Sequence, residues 1–305
     1  MSLAWHLRHH KDSDVGDFLQ QEFLHVTSLT KRINQQLRSA DTLLPFVSDS
    51  PHRILEKAIY YRIGYGFAHT TTRDLHAWHV ASHVAWRMEE ICFRDFSSIF
   101  KQFFQQLEST LTLLQPAGRH LDAESEQILA RYCFVLGLIE EIFRTKSYGR
   151  CPLINPAYKK SVDDLLAIPL QGWIDDLIKM FAQFYAQYSN LLFSPSIINP
   201  TFLGHNDLGK ESADLIVDRC LIEIKTGCEP KIPAAWVRLL AGSVLLDFDD
   251  EYHIHSVGIY MVRQGVFLSW PLEEFFYELT GGACSNVASF RQEFRLCCEV
   301  ESMPW

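Results

Sequence analysis

The sequence predicts an α/β (α+β) protein, with a mixed-sheet core preceded by a largely helical N-terminal region. Two observations carry this. Through most of residues 1–195, apolar residues recur at mixed three- and four-residue spacings, the period of helices with one buried face. From residue 196 onward the chain turns to short, partly β-branched apolar runs bounded by turn residues, which read as strands. The expected division is a helical region, 1–195, and an α/β core, 196–305, with a C-terminal helix.

In the first region the runs FLQQEFLHVTSLTKRINQQL, FSSIFKQFFQQLESTLTLL, ESEQILARYCFVLGLIEEIFR and GWIDDLIKMFAQFYAQYSNLL each carry the helical period. Breakers fall at Gln115-Pro116-Ala117-Gly118 and at Tyr148-Gly149-Arg150-Cys151-Pro152. Asp122 and Ser125 stand where caps of the third run belong. The pattern changes at Ser194-Pro195-Ser196. Thr201-Phe202-Leu203 is a candidate strand, and residues 213–217 and 220–225 are two more. Pro233, near the first helical position where its missing donor costs little, opens a helix to 246. Residues 255–262 and 266–270 are strands around a Gln264-Gly265 turn. Pro271 starts the helix LEEFFYEL, which stops at Gly281-Gly282.

Composition bounds the function. With 305 residues, 48% hydrophobic and 21% charged, the chain has globular composition and room for one large or two ordinary domains. The opening MSLAWHLRHHKDSD lacks the apolar run of a signal peptide. Stretches such as FVLGLI are too short to cross a bilayer, so no membrane partner is expected. Eight cysteines are scattered, apart from Cys297-Cys298, and fit reduced thiols in the cytoplasm. The net charge of -9 gives no global excess of Lys and Arg. A nucleic-acid partner would need a local positive groove, a protein partner or a homo-oligomer.

The chemistry concentrates in Ser212-Ala-Asp-Leu-Ile-Val-Asp-Arg-Cys-Leu-Ile-Glu-Ile-Lys225. An antiparallel hairpin turning at Asp218-Arg219 sets Val217 against Cys220, Ile216 against Leu221 and Asp214 against Glu223. Opposed residues share a face, roughly 5 Å apart at Cβ, and Lys225, two residues beyond Glu223, shares it too. Two facing carboxylates repel each other unless a divalent cation joins them. Mg²⁺ takes oxygen ligands of this kind together with substrate phosphate. A three-residue loop would instead set Asp214 opposite Ile224 and on the wrong face. The bland alternative is a Glu223–Lys225 ion pair at a sheet edge, with Asp214 capping a strand.

ADLIVDRCLIEIKTG resembles the D…(D/E)-x-K hairpin of the PD-(D/E)XK nucleases, the restriction-endonuclease-like superfamily. It is also similar to a GADADLIVDG-LIDIKT run of uncharacterised bacterial proteins, followed there by an apolar helix and a hairpin. The resemblance covers about residues 199–275. It implies a restriction-endonuclease-like core, metal ligation by Asp214, Glu223 and the backbone carbonyl of Ile224, and a catalytic role for Lys225. It further implies Mg²⁺ or Mn²⁺ as cofactor and hydrolysis of nucleic-acid phosphodiesters, DNA being the expected substrate. Members cut DNA or RNA, often in defence against phage, restriction, repair or mobile elements.

Some branches carry a glutamine and a tyrosine in the next helix. Here Trp236-Val-Arg-Leu-Leu-Ala-Gly242 has Arg238 near the glutamine's place and no tyrosine. Arg238 and Lys210, in GKESADL, are the candidate nucleic-acid contacts. An upstream acidic residue often completes such metal sites. Glu140 is the candidate, with Glu141, Asp175 and Asp176 competing, and pairing with Arg144 on one helix face is its ordinary explanation. The alternative function is a catalytically inactive nuclease-fold subunit used for binding or assembly.

Two weaker signals lie in the helical region. His76, His79 and His83 share a helical face that could present a metal site, with packing or surface histidines as the ordinary explanation. The aromatic run Tyr60-Tyr61-Arg62-Ile63-Gly64-Tyr65-Gly66-Phe67 could stack on unpaired bases, or simply belong to the core.

Overall fold

The structure is a computed structural model. It describes residues 3–9, 13–38, 44–45, 51–67, 75–92, 95–113, 121–148, 152–154, 161–202, 204, 213–282 and 286–302. The elements run α1 (Leu3–Arg8), α2 (Asp14–Gln21), α3 (Val26–Arg38), α4 (His52–Gly64), α5 (Leu75–Cys92), α6 (Phe96–Leu113), α7 (Ala123–Thr145), α8 (Val162–Leu166), α9 (Gln171–Tyr188), β1 (Ser196–Ile198), β2 (Leu215–Val217), β3 (Cys220–Lys225), α10 (Ala234–Leu245), β4 (Ser256–Met261), β5 (Val266–Pro271), α11 (Leu272–Thr280) and α12 (Val287–Ser302). They group into two compact units, Met1–Leu43 with Ile197–Trp305, and Leu44–Ser196. No helix among the described residues is long and apolar enough to cross a membrane.

The all-helical unit, Leu44–Ser196, is organised around α7. Its N-cap is Asp122, whose side chain accepts a hydrogen bond from the Ser125 amide at 2.9 Å, satisfying one donor that the first turn leaves open. Residues 132–139 of α7 are all buried, so this helix has neighbours on every side. Gly137 lets α4 close on it: a Cβ there would stand 2.5 Å from the Ile54 carbonyl oxygen. A buried charge pair ties three helices. Arg62 of α4, 2% exposed, meets Glu126 of α7 at 2.7 and 2.6 Å. Its guanidinium carbon lies 3.4 Å from the centre of the Phe181 ring of α9. The aromatic run at 60–67 therefore belongs to the core, at the end of α4 and the turn after it, with Tyr60, Tyr61 and Phe67 buried.

In the other unit the sheet order is β1-β2-β3-β4-β5. The β2/β3 and β4/β5 pairs are antiparallel and β3/β4 is parallel, so the sheet is mixed as expected. A parallel pair needs a crossover connection, and α10 lies within it. Pro233 is the N-cap of α10. The first three helices pack here, because their apolar stripes (Leu3, Val15, Leu19, Leu29, Ile33) join one core with Val237, Leu240 and Val244 of α10 and Phe276, Phe290 and Phe294 of α11 and α12. Asn34 of α3 fastens the loop before α10 by two reciprocal bonds, Nδ2 to the Ile232 carbonyl at 3.0 Å and Ile232 N to Oδ1 at 2.6 Å.

The grouping differs from the expected 1–195 helical region, since residues 1–43 join the C-terminal part of the chain. Periodicity shows that a helix buries a face; it does not show which partner receives it. Three local readings also differ. The run 18–37 is two helices broken at residues 22–25. The first strand is Ser196–Ile198, while Thr201 and Phe202 of the expected 201–203 strand lie outside any strand and Leu203 lies outside the described residues; Asn199 at φ 51° and Pro200 turn the chain away. A further helix, α12, follows the expected last one.

Helix α12 is fastened by Arg291, whose Nη1 lies 2.5 Å from Asp250 Oδ1 and Nη2 3.7 Å from Asp247 Oδ2. Asp247 is 1% exposed, and burial pushes its carboxyl up to about 6, against the pull of Arg291.

Two outcomes follow from this packing. Glu126→Ala leaves Arg62 buried without its carboxylate and is expected to cost about 3–5 kcal/mol in urea unfolding, whereas the paired Arg62→Met, Glu126→Leu chain should lose far less. Asp247 binds its proton more tightly folded than unfolded, so its contribution is full below about pH 4 and lost as pH rises through about 6. Between pH 4 and 7 the stability difference between wild type and Asp247→Asn should shift by roughly 2–3 kcal/mol against the wild type; parallel curves would contradict it.

Candidate active site

The β2–β3 hairpin turns through Asp218 and Arg219, at φ 46° and 62°. Positive φ at both central residues is what a type I′ turn requires, and this turn matches the twist of the strands it joins. The pairs are Val217↔Cys220, Ile216↔Leu221 and Leu215↔Ile222, the two-residue register rather than the three-residue one. Extended by one step, it sets Asp214 against Glu223.

At Asp214 the backbone leaves the ladder: its carbonyl accepts from the Asn199 amide at 3.1 Å. Val262 N donates to the Lys225 carbonyl at 2.9 Å, so alternate residues of β3 bond toward β4. The Ile224 amide and carbonyl therefore face the β2 side, just beyond the end of β2. Asp214 occupies that place. Its Oδ2 accepts from the Ile224 amide at 2.9 Å, standing in for the ladder acceptor that β2 no longer supplies. The Ile224 carbonyl emerges along the same edge.

On the shared face, Lys225 Nζ lies 2.7 Å from Glu223 Oε2 and 5.7 Å from the centre of the Trp236 ring. Asp214 is 7% exposed, and the Glu223 and Lys225 side chains 16% and 15%. At this depth charges interact more strongly than in water, and each carboxylate has a named donor. The loop after β3 is held by Gln264, a buried residue whose Nε2 donates to the Gly227 and Cys228 carbonyls at 3.2 and 3.4 Å.

The remaining candidates fall elsewhere. Arg238 is half-buried and donates from Nε to the Leu19 carbonyl at 3.2 Å, and burial pulls its guanidinium below the usual range. Its charge is directed onto α2. Lys210 lies outside the described residues. Glu140 belongs to the all-helical unit, where its Oε1 accepts from the Tyr61 hydroxyl at 2.5 Å. Arg144 pairs with Glu141 at 2.6 Å instead, Asp175 accepts from Gln171 at 2.8 Å, and Asp176 is buried. His79 is exposed, and the His83 ring meets Phe143 edge to face. No group of three or more His, Cys, Asp and Glu side chains able to hold a metal occurs among the described residues.

The hairpin's donor set is two carboxylates and one backbone carbonyl, all oxygen. That fits Mg²⁺ or Mn²⁺, which need only one or two carboxylates when waters and substrate phosphate complete the shell. Sequence reasoning met Trp236 and Gln264 only as a helix residue and a turn residue, with no part in the site. Neither belongs to a spacing pattern, and only the packing of α10 and the β4–β5 turn against the end of β3 brings them in.

No family model matches the chain, and neither a curated protein nor a solved structure is significantly similar to it.

The Asp214 contact separates two substitutions. Asp214→Asn keeps an oxygen for the Ile224 amide and should stay within about 1 kcal/mol of wild type in chemical denaturation, while Asp214→Ala leaves that amide unpaired and should cost about 1–3 kcal/mol. Equal losses would mean that the carboxylate does not complete the hairpin.

Proposed function

We propose that this chain is a divalent-metal-dependent nuclease with a restriction-endonuclease-like core of the PD-(D/E)XK type, hydrolysing phosphodiester bonds of nucleic acid, with DNA as its first substrate. What supports the reading is one juxtaposition: the Asp214 carboxylate reaches across to the Ile224 amide beside a strand that presents Glu223 and Lys225 together. Asp214, Glu223 and the Ile224 carbonyl would hold Mg²⁺ or Mn²⁺. When bound, the ion supplies Lewis-acid polarisation of a phosphoryl oxygen and an acidified water.

The chain's own residues do the rest. Asp214, tied to the β3 backbone, is fixed before any ligand arrives, which spares the cost of ordering it. Lys225 balances Glu223 in the resting state. With the carboxylate engaged elsewhere, its ammonium is the donor available to a non-bridging phosphate oxygen as negative charge builds in the transition state. The partial burial of all three limits water around them and strengthens these interactions.

The test is direct. Purified protein incubated with single- and double-stranded DNA and RNA should cut at least one of them with Mg²⁺ or Mn²⁺ and none with chelator. Asp214→Asn, Glu223→Gln and Lys225→Ala should each lower the rate by about 100-fold or more while remaining folded. Cleavage at the wild-type rate in all three would reject the assignment. Absence of both cleavage and calorimetric Mg²⁺ or Mn²⁺ binding would favour a non-catalytic binding or assembly subunit, a reading consistent with the net charge of -9 and the inward turn of Arg238.

A further inference from the structure

One neighbour of Lys225 is absent from the D…E-x-K pattern. In the resting structure the Lys225 ammonium sits between Glu223, at 2.7 Å, and the Trp236 indole, at 5.7 Å from the ring centre. That second distance is within the range over which an aromatic face attracts a cation. These two neighbours, among those of the ammonium, differ in one respect. Glu223 is an oxygen donor that a divalent ion would claim, while an indole is no ligand for such an ion.

We propose that Trp236 is a positioning residue for Lys225: its ring keeps the ammonium over the site when a metal takes Glu223 away from it. This rests on the nuclease reading for its kinetic consequence, and on geometry alone for the contact.

The seat of the indole is built for it. Trp236 lies in the first turn of α10, its amide donating to the Pro233 carbonyl at 3.0 Å. The ring lies against Gly227, where an added Cβ would come within 3.6 Å of Trp236 Cη2. The Gly227 carbonyl is pinned in turn by the buried Gln264 amide at 3.2 Å. Trp236 is half-buried and also packs on the core. The strand carrying Lys225, the loop under the ring and the helix bearing it are thus joined. The ammonium at the end of a four-carbon stem, otherwise rich in rotamers, is given a place to stand.

The experiment has two arms. In the first, lysines are reductively methylated with carbon-13, and the Lys225 signal is assigned by its loss in Lys225→Arg. It should lie upfield of the other lysines because of the ring current, stay upfield on saturation with Mg²⁺, and join the others in Trp236→Leu. A wild-type signal among the exposed lysines, or one that returns to them when Mg²⁺ binds, overturns the positioning whatever the activity. In the second arm, Trp236→Leu should lower kcat roughly 10-fold with KM and Mg²⁺ affinity little changed, and Trp236→Phe should recover most of it. An unchanged kcat in Trp236→Leu overturns the proposal, as does a loss that Phe does not rescue, since packing alone would explain it. Should the Leu chain fail to fold, the Phe chain and the wild-type signal still decide. Absence of cleavage by the wild type would end the nuclease reading, and the positioning would then stand or fall on the methyl signal.

Discussion

The phase of β2 against β3 is the constraint on which the candidate site depends, and a two-residue turn sets it. Asp218 and Arg219 both adopt left-handed backbone, at about 1–2 kcal/mol each for side-chain-bearing residues. A loop longer by one residue would relieve that strain but would move Asp214 off the face of Glu223 and Lys225. The sheet opposes such a slip. Leu215, Ile216 and Val217 are all buried, and the exchange of faces would disturb every one of them. The parallel pairing of β3 with β4 and the antiparallel pairing of β4 with β5 hold the other side of the same strand. The candidate site is thus carried by the central strand of five, at the end next to the crossover that leads into α10.

The two units handle buried charge differently. Arg62 and Glu126 are closed against each other by two short hydrogen bonds and capped by the Phe181 ring. Nothing in that arrangement leaves room for exchange, and its work is to fix three helices. On the hairpin, by contrast, Glu223 and Lys225 are partly open to solvent and joined by one named hydrogen bond. In the proposed function, this is the pairing that a bound metal ion would replace. Asp247 and Arg291 fall between these cases: an ion pair at 3.7 Å, buried enough to shift the acid, yet with Asp250 as a second carboxylate to share the arginine.

Much of the C-terminal half was legible in the sequence, because alternation and turn residues report local geometry. The hairpin register, the helix after Pro233 and the following strand pair could all be read from residues close together in the chain. The cap at Asp122 was legible for the same reason. What escaped reading depends on contacts between distant residues. The apolar stripes of α1–α3 say that something covers them, and only the folded chain shows that α10, α11 and α12 do. The short strand at 196–198 has too few residues to display a period, and the run 60–67 carries aromatic chemistry that looks equally suited to stacking and to a core. Arg238 stood at a suggestive place in the sequence, but one turn of helix decides whether such a side chain meets a ligand or the Leu19 carbonyl.

The unit that carries the hairpin is assembled from both ends of the chain, and this bears on how it is made. Residues 44–196 form a continuous unit that can close as soon as it has left the ribosome. The other unit cannot. Asn34 waits for Ile232, 198 positions later, and the Asp14 amide for Glu301, 287 positions later. Until those residues are synthesised, the oily stripes of the first three helices have no native cover. That nascent segment is thus exposed through most of synthesis, and a chain terminated before α12 would lack part of its core.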